Sequence, residues 1–406
     1  MADPELDVER IRAQFPSLQG PDAAAHFDGP GGSQTPTPVA RAIADTLTAP
    51  LANRGQNTLA ERNADQTVRA ARQALADLLG SEPEGIVFGR SMTQLTMDLA
   101  RTLAQTWQPG DEIIVSRLDH DANIRPWLIA AERVGAVVRW AEFDPATGEL
   151  PVEAVTAQLS PRTRLVAVTA ASNLLGTMPD LPAIAAAVHA AGAVFFVDAV
   201  HYAAHELVDR KALGADLVAC SPYKFCGPHC GVLAGDPALL ETLHPDKLKP
   251  SSEQVPERFE LGTLPYEVLA GCTATVDFLA DLVPGPGSRR ERLARSFAAL
   301  ARHELRLRER IETRLAELGA TVWSRAGRRT PTLLFSLPGS EPAALAARLA
   351  SRGVNAPAGS FYAIECATAL GLGAAGGVRV GLAPYTSDAD VDRLLAELGD
   401  ADRLAG

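Results

Sequence analysis

Of the 406 residues, 47% are apolar and 21% charged, the balance expected of a soluble globular protein. A chain of this length outgrows one ordinary core and is expected to form two domains. Its formal charge of -11, without a basic run or a basic-aromatic stripe, argues against a nucleic-acid interface.

The N-terminal stretch MADPELDVERIRAQF is acidic and amphipathic and lacks the basic start and apolar centre of a signal peptide. Five cysteines, three of them between Cys220 and Cys230, point with it to a reducing compartment, and a cytoplasmic location is expected. Residues 1–28 read as an arm packed on the domains that follow. From Gly85 onward short β-rich runs alternate with helical patterns. GIVFGR precedes a helix from near Met92, and DEIIVSRLD precedes one from about Ile124. VVRWAEF, TRLVAVTAAS and VFFVDAV come next, with the helical LPAIAAAVHAAG between the last two, and DLVACSPYK and GVLAG close the series. The most apolar long stretch, 181–200, carries His189, Gly192 and Asp198 and reads as helix-turn-strand, so no membrane span is expected.

Runs such as LVAVTA and VFFVDA are apolar on both faces, as strands covered by helices on each side should be. The alternation predicts an α/β domain over 29–282 with a parallel-rich sheet. After Leu282, PGPGS reads as a linker to a smaller α+β unit over 283–406. That unit holds a long charged helix over 289 to about 318, the strand TPTLLFSLPG, a helix over 343–352, the strand VRVGLA and a last helix from Ser387.

Sites of parallel sheets lie at the carboxyl ends of the strands. Asp198, Asn173, His120 and Lys224 all fall at such ends. Three of the four lysines, Lys211, Lys247 and Lys249, sit in polar surface-like segments, whereas Lys224 follows an apolar strand in SPYKFCGPHC. Cys226, His229 and Cys230 in the same stretch suggest a metal knuckle, but a structural zinc needs four ligands and no second cluster supplies the fourth, so no metal is expected. An acid, an imidazole, an amide and a lysine at strand ends are the set that holds pyridoxal phosphate: the lysine joins the carbonyl, and the acid keeps the pyridine nitrogen protonated.

At HFDGPGGSQTP, LDHDANIRPW, SNLLGT, VDAVH, ACSPYKFCGPHCGVL, FELGTLPYE and VRVGLAPYTSDADVDRLL the chain resembles the fold-type I pyridoxal-phosphate enzymes of the class V aminotransferase group, on the cysteine desulfurase and selenocysteine lyase side. The resemblance implies pyridoxal 5'-phosphate as cofactor, a small amino acid as substrate and a homodimer. It makes Lys224 the cofactor lysine and the base at Cα, Asp198 the partner of the pyridine nitrogen, His120 the ring that stacks on the cofactor, and Asn173 the contact of its hydroxyl. It assigns the phosphate to the start of the helix at Met92 and Thr93, with Ser221, Tyr223 and the partner-reaching Gly262 and Thr263. His201 falls near the cofactor ring. Arg379 matches the arginine that clamps the substrate carboxylate, with Arg54 a second candidate for that pocket.

One departure bears on the reaction. Desulfurases carry a nucleophilic cysteine in a loop before the carboxylate-binding arginine; here that stretch is APAGSFYA, with Tyr362 at the cysteine's place. Cys366 lies four residues on, in a helix with an apolar face, and reads as core. A persulfide-forming step needs a positioned thiolate, whereas elimination needs a base and a leaving group. The expected activity is therefore a C–S lyase acting on cysteine or an S-substituted cysteine. A desulfurase using Cys366 or an external thiol, a transaminase or epimerase of the same fold, and a non-catalytic sulfur-carrier scaffold remain alternatives. The sequence contains nothing that specifies a sulfur-acceptor protein.

Overall fold

The computed structural model describes residues 5–20 and 23–402, with side chains through residue 399. Strand β1 (Ala25–His26) lies near the N-terminus. Seven strands then form one sheet: β2 (Ile86–Gly89), β3 (Glu112–Ser116), β4 (Val137–Ala141), β5 (Thr163–Thr169), β6 (Val194–Asp198), β7 (Leu217–Cys220) and β8 (Gly231–Gly235). Their order is β2-β8-β7-β6-β5-β3-β4. From β7 through β4 all neighbours are parallel, and β8 runs antiparallel to both β7 and β2. The reversal has a simple cause. Only residues 221–230 join β7 to β8, fewer than the dozen or more that a parallel crossover takes.

Alternation along each strand feeds two apolar layers. On β6, Phe195 and Val197 enter one core cluster and Phe196 the other; on β5, Val166 and Val168 oppose Leu165 and Ala167 in the same way. Strands buried on both faces in this manner are the signature of a helix-covered parallel sheet. Three helices that the sequence reading did not single out, Thr37–Thr48, Leu59–Leu79 and Tyr266–Ala280, pack together on one side of it. The second is closed by a Thr58–Glu61 capping box at one end and by Gly80, at φ 59°, at the other.

Beyond the loop 284–288 the helix Arg289–Glu317 begins with a capping box between Ser288 and Glu291. Its apolar stripe joins two cores: Leu293, Phe297 and Leu300 pack into the large-sheet cluster, whereas Leu307, Ile311 and Leu315 pack into a third. That third cluster lies on the antiparallel sheet of β9 (Thr321–Val322), β10 (Leu333–Ser336), β12 (Ala358–Gly359) and β13 (Gly377–Val380), ordered β12-β13-β10-β9. The N-terminal segment belongs to this side as well. β1 pairs in parallel with β11 (Val354–Asn355), and Asp28 bridges Gly381. The helices expected over 343–352 and from Ser387 are Pro342–Ser351 and Asp388–Asp402. No helix among the described residues is long and apolar enough to cross a membrane.

Candidate active site

The carboxyl ends of β3, β5, β6 and β7 open onto a cavity of about 630 Å³. Asp198, the last residue of β6, pairs with Thr169, the last of β5, and both line it. Only 4% of Asp198 is exposed. Burial pushes its carboxyl up to about 6, against the pull of the Val200 amide, which donates to Oδ1 at 2.9 Å, and of the Lys224 charge.

Lys224 ends the 3-10 turn Pro222–Lys224 that follows β7. Its Nζ donates to the Pro30 carbonyl at 2.6 Å and to the Gly31 carbonyl at 3.0 Å. Burial, then the nearby Arg379, lowers its ammonium to about 7, while Asp198 opposes the shift. An amine brought that close to neutrality can exchange protons at physiological pH. The turn is held from below by Ser33: its amide and hydroxyl both donate to the Tyr223 carbonyl at 3.0 Å, and its oxygen accepts from the Cys226 amide at 2.6 Å.

His120 caps the short turn Asp121–Asn123 and accepts the Ala122 amide at Nδ1, 3.0 Å away. That bond puts the remaining proton on Nε2. Burial first, then the Lys224 charge, lowers its imidazolium to about 4, so the ring is neutral at physiological pH. Its face stacks on Tyr362, with centroids 5.5 Å apart. Beneath it Asp119 is fully buried, accepting from Ser116 Oγ and from Asn123 Nδ2 at 2.6 Å, and burial raises its carboxyl to about 8.

The helix Met92–Ala104 points its N-terminus into the same cavity, which Met92 and Thr93 line. Its start lies against β8 because position 231 is glycine: a Cβ there would come within 2.3 Å of the Ser91 carbonyl carbon and 2.7 Å of the Met92 nitrogen. Ser221 Oγ accepts the Met92 amide at 3.4 Å, and the Tyr223 ring lies parallel to His229 at 4.8 Å. His201 Nε2 lies 2.9 Å from Thr330 Oγ1 and 3.0 Å from Thr332 Oγ1, and burial followed by His205 holds its imidazolium well below the usual range.

Arg379 comes from β13 and is 2% exposed. One terminal nitrogen donates to the Asn173 carbonyl at 2.8 Å, and the guanidinium carbon lies 3.6 Å from the centre of the Phe361 ring. The Asn173 amide nitrogen in turn donates to the Phe361 carbonyl at 2.9 Å. Phe361 and Tyr362 both adopt left-handed backbone, at φ 52° and 59°. Non-glycine residues pay about 1–2 kcal/mol each for that conformation. The bonds from Asn173 and from the Asp121 amide, which donates to the Tyr362 carbonyl at 2.8 Å, hold the loop against it.

Lys224, Asp198, His120, Asn173, His201, Ser221, Tyr223, Met92, Thr93 and Arg379 therefore share one cavity. Arg54, Gly262 and Thr263 are absent from its lining. Arg54 is held by Asp65 at 2.9 Å and Glu257 at 3.1 Å, and Gly262 and Thr263 are exposed, Gly262 at φ 77°. Phe361, Pro30 and Gly31 were not singled out by sequence. The glycine-rich HFDGPGGSQTP carries the last two, and its two carbonyls holding a lysine are invisible to any side-chain pattern. All five cysteines are buried free thiols outside the cavity lining. Cys366 lies in the large-sheet core with its thiol pushed well up by burial. Among the described residues no cluster of metal-ligating side chains occurs.

Two buried polar atoms on cavity-lining residues lack partners, Asn173 Oδ1 and Arg379 Nε. Buried polar groups are nearly always satisfied, so such atoms mark where a ligand belongs. An unpartnered amide oxygen, a lysine, a buried carboxylate and a helix N-terminus on one cavity together fit pyridoxal phosphate. The sheet order and this site define a fold-type I pyridoxal-phosphate enzyme.

The comparisons agree. The Aminotransferase class-V family model matches residues 25–394. An uncharacterized protein of Mycobacterium tuberculosis, MT3887, is 36% identical over 97% of this chain and 99% of its own length. The cysteine desulfurase CsdA of Escherichia coli K12 is 31% identical over 95% of each chain. The crystal structure of CsdA superposes with a TM-score of 0.87 at 29% identity, covering 99% of this chain and 100% of that one. The apo cysteine desulfurase of Thermococcus onnurineus NA1 gives 0.88 at 26% identity, covering 100% and 99%. The chain belongs to the class-V aminotransferase family, and within it to the cysteine desulfurase-like, pyridoxal-phosphate-dependent enzymes.

Proposed function

We propose that this enzyme is a C–S lyase that eliminates the β-substituent of cysteine or an S-substituted cysteine. The observation that carries the reading is the distribution of thiols. The cavity presents Lys224, His120, Asp198, Tyr223, Tyr362 and Arg379, whereas every cysteine is buried outside its lining. Burial raises the thiols of Cys220, Cys226 and Cys366, and Cys226 reaches about 12. Such thiols are inert as nucleophiles.

The residues divide the work as follows. Lys224 carries the cofactor and takes the Cα proton; Asp198 holds the pyridine nitrogen; His120 covers the ring; Asn173 Oδ1, with His201, meets its hydroxyl side. Thr93, Ser221, Tyr223 and the Met92 helix start receive the phosphate. Arg379 takes the substrate carboxylate, for which a planar two-pronged donor is suited. When bound, the cofactor supplies an electron sink for negative charge at Cα. The neutral imidazole of His120, with its proton on Nε2, and the Tyr362 hydroxyl line the same cavity as Lys224. With one water consumed, cysteine yields pyruvate, ammonium and sulfide; an S-substituted cysteine yields the corresponding thiol.

We further infer a homodimer in which the exposed Gly262–Thr263 turn reaches the partner's phosphate site, and a cytoplasmic location, which the free thiols favour. We also infer a division into an arm over 1–28, a large domain over 29–282 and a small domain over 283–406, of which 1–4, 21–22 and 403–406 lie outside the described residues. The fold of the two sheets supports it. Arg54, the second candidate for the substrate pocket, is held by Asp65 and Glu257 in its own chain.

The test is product analysis of the cofactor-loaded enzyme with L-cysteine and with S-substituted cysteines, without reductant. Pyruvate with sulfide or thiol is expected. Alanine with protein-bound sulfur would overturn the reading in favour of a desulfurase.

A further inference from the structure

Midway along the helix Arg289–Glu317 a carboxylate interrupts the apolar stripe. Glu304 is 2% exposed and falls between Leu300, in the large-sheet core, and Leu307, in the small-sheet core. A carboxylate in such a place requires a partner. The partner is His205, 4% exposed, whose Nδ1 lies 3.1 Å and 3.0 Å from the two carboxylate oxygens. Neither residue lines the catalytic cavity.

His205 does line a second, small cavity behind Lys224. Its wall includes Pro30, His201, His205 and Lys224, and its volume is about 10 Å³. That is close to the least room one water needs, and a buried water requires two to four polar partners. Lys224, whose Nζ already donates to the Pro30 and Gly31 carbonyls, and His205, whose Nε2 Glu304 leaves over, both line the cavity and are the polar partners such a water would take. Burial is the main cause that raises the carboxyl of Glu206, on the His205 segment, and the thiol of Cys226, two residues from Lys224, and the charge of Glu304 adds to both. The other titratable or charged groups facing the pair are His201, whose ring centre is 4.9 Å from that of His205, and Arg328, which acts on Glu206.

We propose that His205 and Glu304 are a positioning pair that reaches Lys224 through one water in this cavity and stabilises its ammonium form during turnover. The proposal rests on Lys224 as the base of the lyase reaction. Nζ takes the proton from Cα and holds it while the Cβ–S bond breaks with its electron pair on sulfur. The proton then passes to the departing thiolate. The pair lengthens the life of the charged amine between those two transfers, offsetting the repulsion of Arg379, which disfavours it.

The experiment titrates Lys224 itself. In the full chain with cofactor bound, the absorption of the lysine-bound cofactor is followed from pH 5 to 10 for wild type, Glu304→Gln and His205→Asn. The same chains freed of cofactor are acylated across that range, with modification read at the peptide carrying Lys224 and Lys211 as the exposed control. In Glu304→Gln the Lys224 midpoint is expected to fall by roughly one pH unit, because its ammonium loses a negative neighbour. In His205→Asn, which keeps the carboxylate and removes the ring, it is expected to fall by less; Lys211 stays put in both.

A folded Glu304→Gln chain whose Lys224 titrates as in wild type overturns the proposal. Should that variant not fold, an unmoved midpoint in His205→Asn does so. Pyruvate formation separates this result from the lyase reading: a lowered midpoint in a chain that makes no pyruvate upholds the pair and removes the lyase, and an unmoved midpoint with pyruvate does the reverse.

Discussion

The guanidinium carbon of Arg379 lies over the Phe361 ring, 3.6 Å from its centre, and Asp28 is the charge that favours its cationic form. Burial lowers this guanidinium to about 9, so the aromatic face is part of what keeps it charged in the cavity wall. One terminal nitrogen is spent on the Asn173 carbonyl, and Nε is unpartnered. In the proposed lyase reaction, the substrate carboxylate is the anion this guanidinium would meet.

Replacing that ring tests the arrangement. Phe361→Ala should raise the amino-acid KM by roughly 5–30-fold, about 1–2 kcal/mol for a desolvated cation–π contact, with a smaller change in kcat. Steady-state kinetics with one amino acid decides it. A KM within twofold of wild type would mean that the ring only packs.

Lys224 carries a cost when the cofactor is absent. Its amine is lowered to about 7 in the folded chain from an ordinary 10.5. Between those values the unfolded chain holds a proton that the folded chain lacks, so the lysine's contribution improves as pH rises and is most unfavourable below pH 7. Lys224→Met without cofactor should therefore melt above wild type at pH 7, with the gap closing toward pH 10. The same variant should lose its cofactor on gel filtration. A lower melting temperature at pH 7 would contradict the assignment.

The sign is opposite for Asp198. Its carboxyl is raised to about 6 from 3.8, so the folded chain holds the extra proton between those values. Stability without cofactor should fall as pH rises from about 4 through 6 and remain lower above. Asp198→Asn keeps an acceptor for the Val200 amide and removes the charge. Urea unfolding at pH 7 should show it more stable than wild type by about 1–3 kcal/mol, the two converging near pH 4.

Tyr362 is 76% exposed and stacks on His120 at the cavity rim. Tyr362→Cys puts a thiol on the rim of the cavity that Lys224 and Arg379 also line, where a thiolate is the form that reacts. With L-cysteine this variant should form alanine and a protein persulfide: the thiolate bonds to the substrate sulfur, the Cβ–S bond breaks and Cβ takes up a proton. Amino-acid analysis with persulfide labelling detects both products. Pyruvate alone would show that the rim does not reach the substrate sulfur.

Much of this protein is written in local chemistry. Strands such as LVAVTA and VFFVDA are apolar on both faces, and that pattern alone implies a sheet covered by helices on each side. Polar residues ending those strands must gather at one rim, because parallel strands bring their carboxyl ends together; Asp198, His120 and Lys224 were legible for that reason. The direction of β8 was also implicit in the shortness of 221–230.

What needed the folded chain is everything carried by long-range approach. No spacing announces that the carbonyls of Pro30 and Gly31 hold Lys224 from nearly two hundred residues away. Phe361 gains its role only because β13 delivers Arg379 onto its face and Asn173 grips its carbonyl. Arg54 reads like a pocket arginine in sequence, yet Asp65 and Glu257 claim its charge. Glu304 looks like one more charge on a charged helix until packing buries it against His205. Residue type and period determine which element forms and which face is covered, since those depend on near neighbours; which partner a polar atom meets depends on how the chain closes.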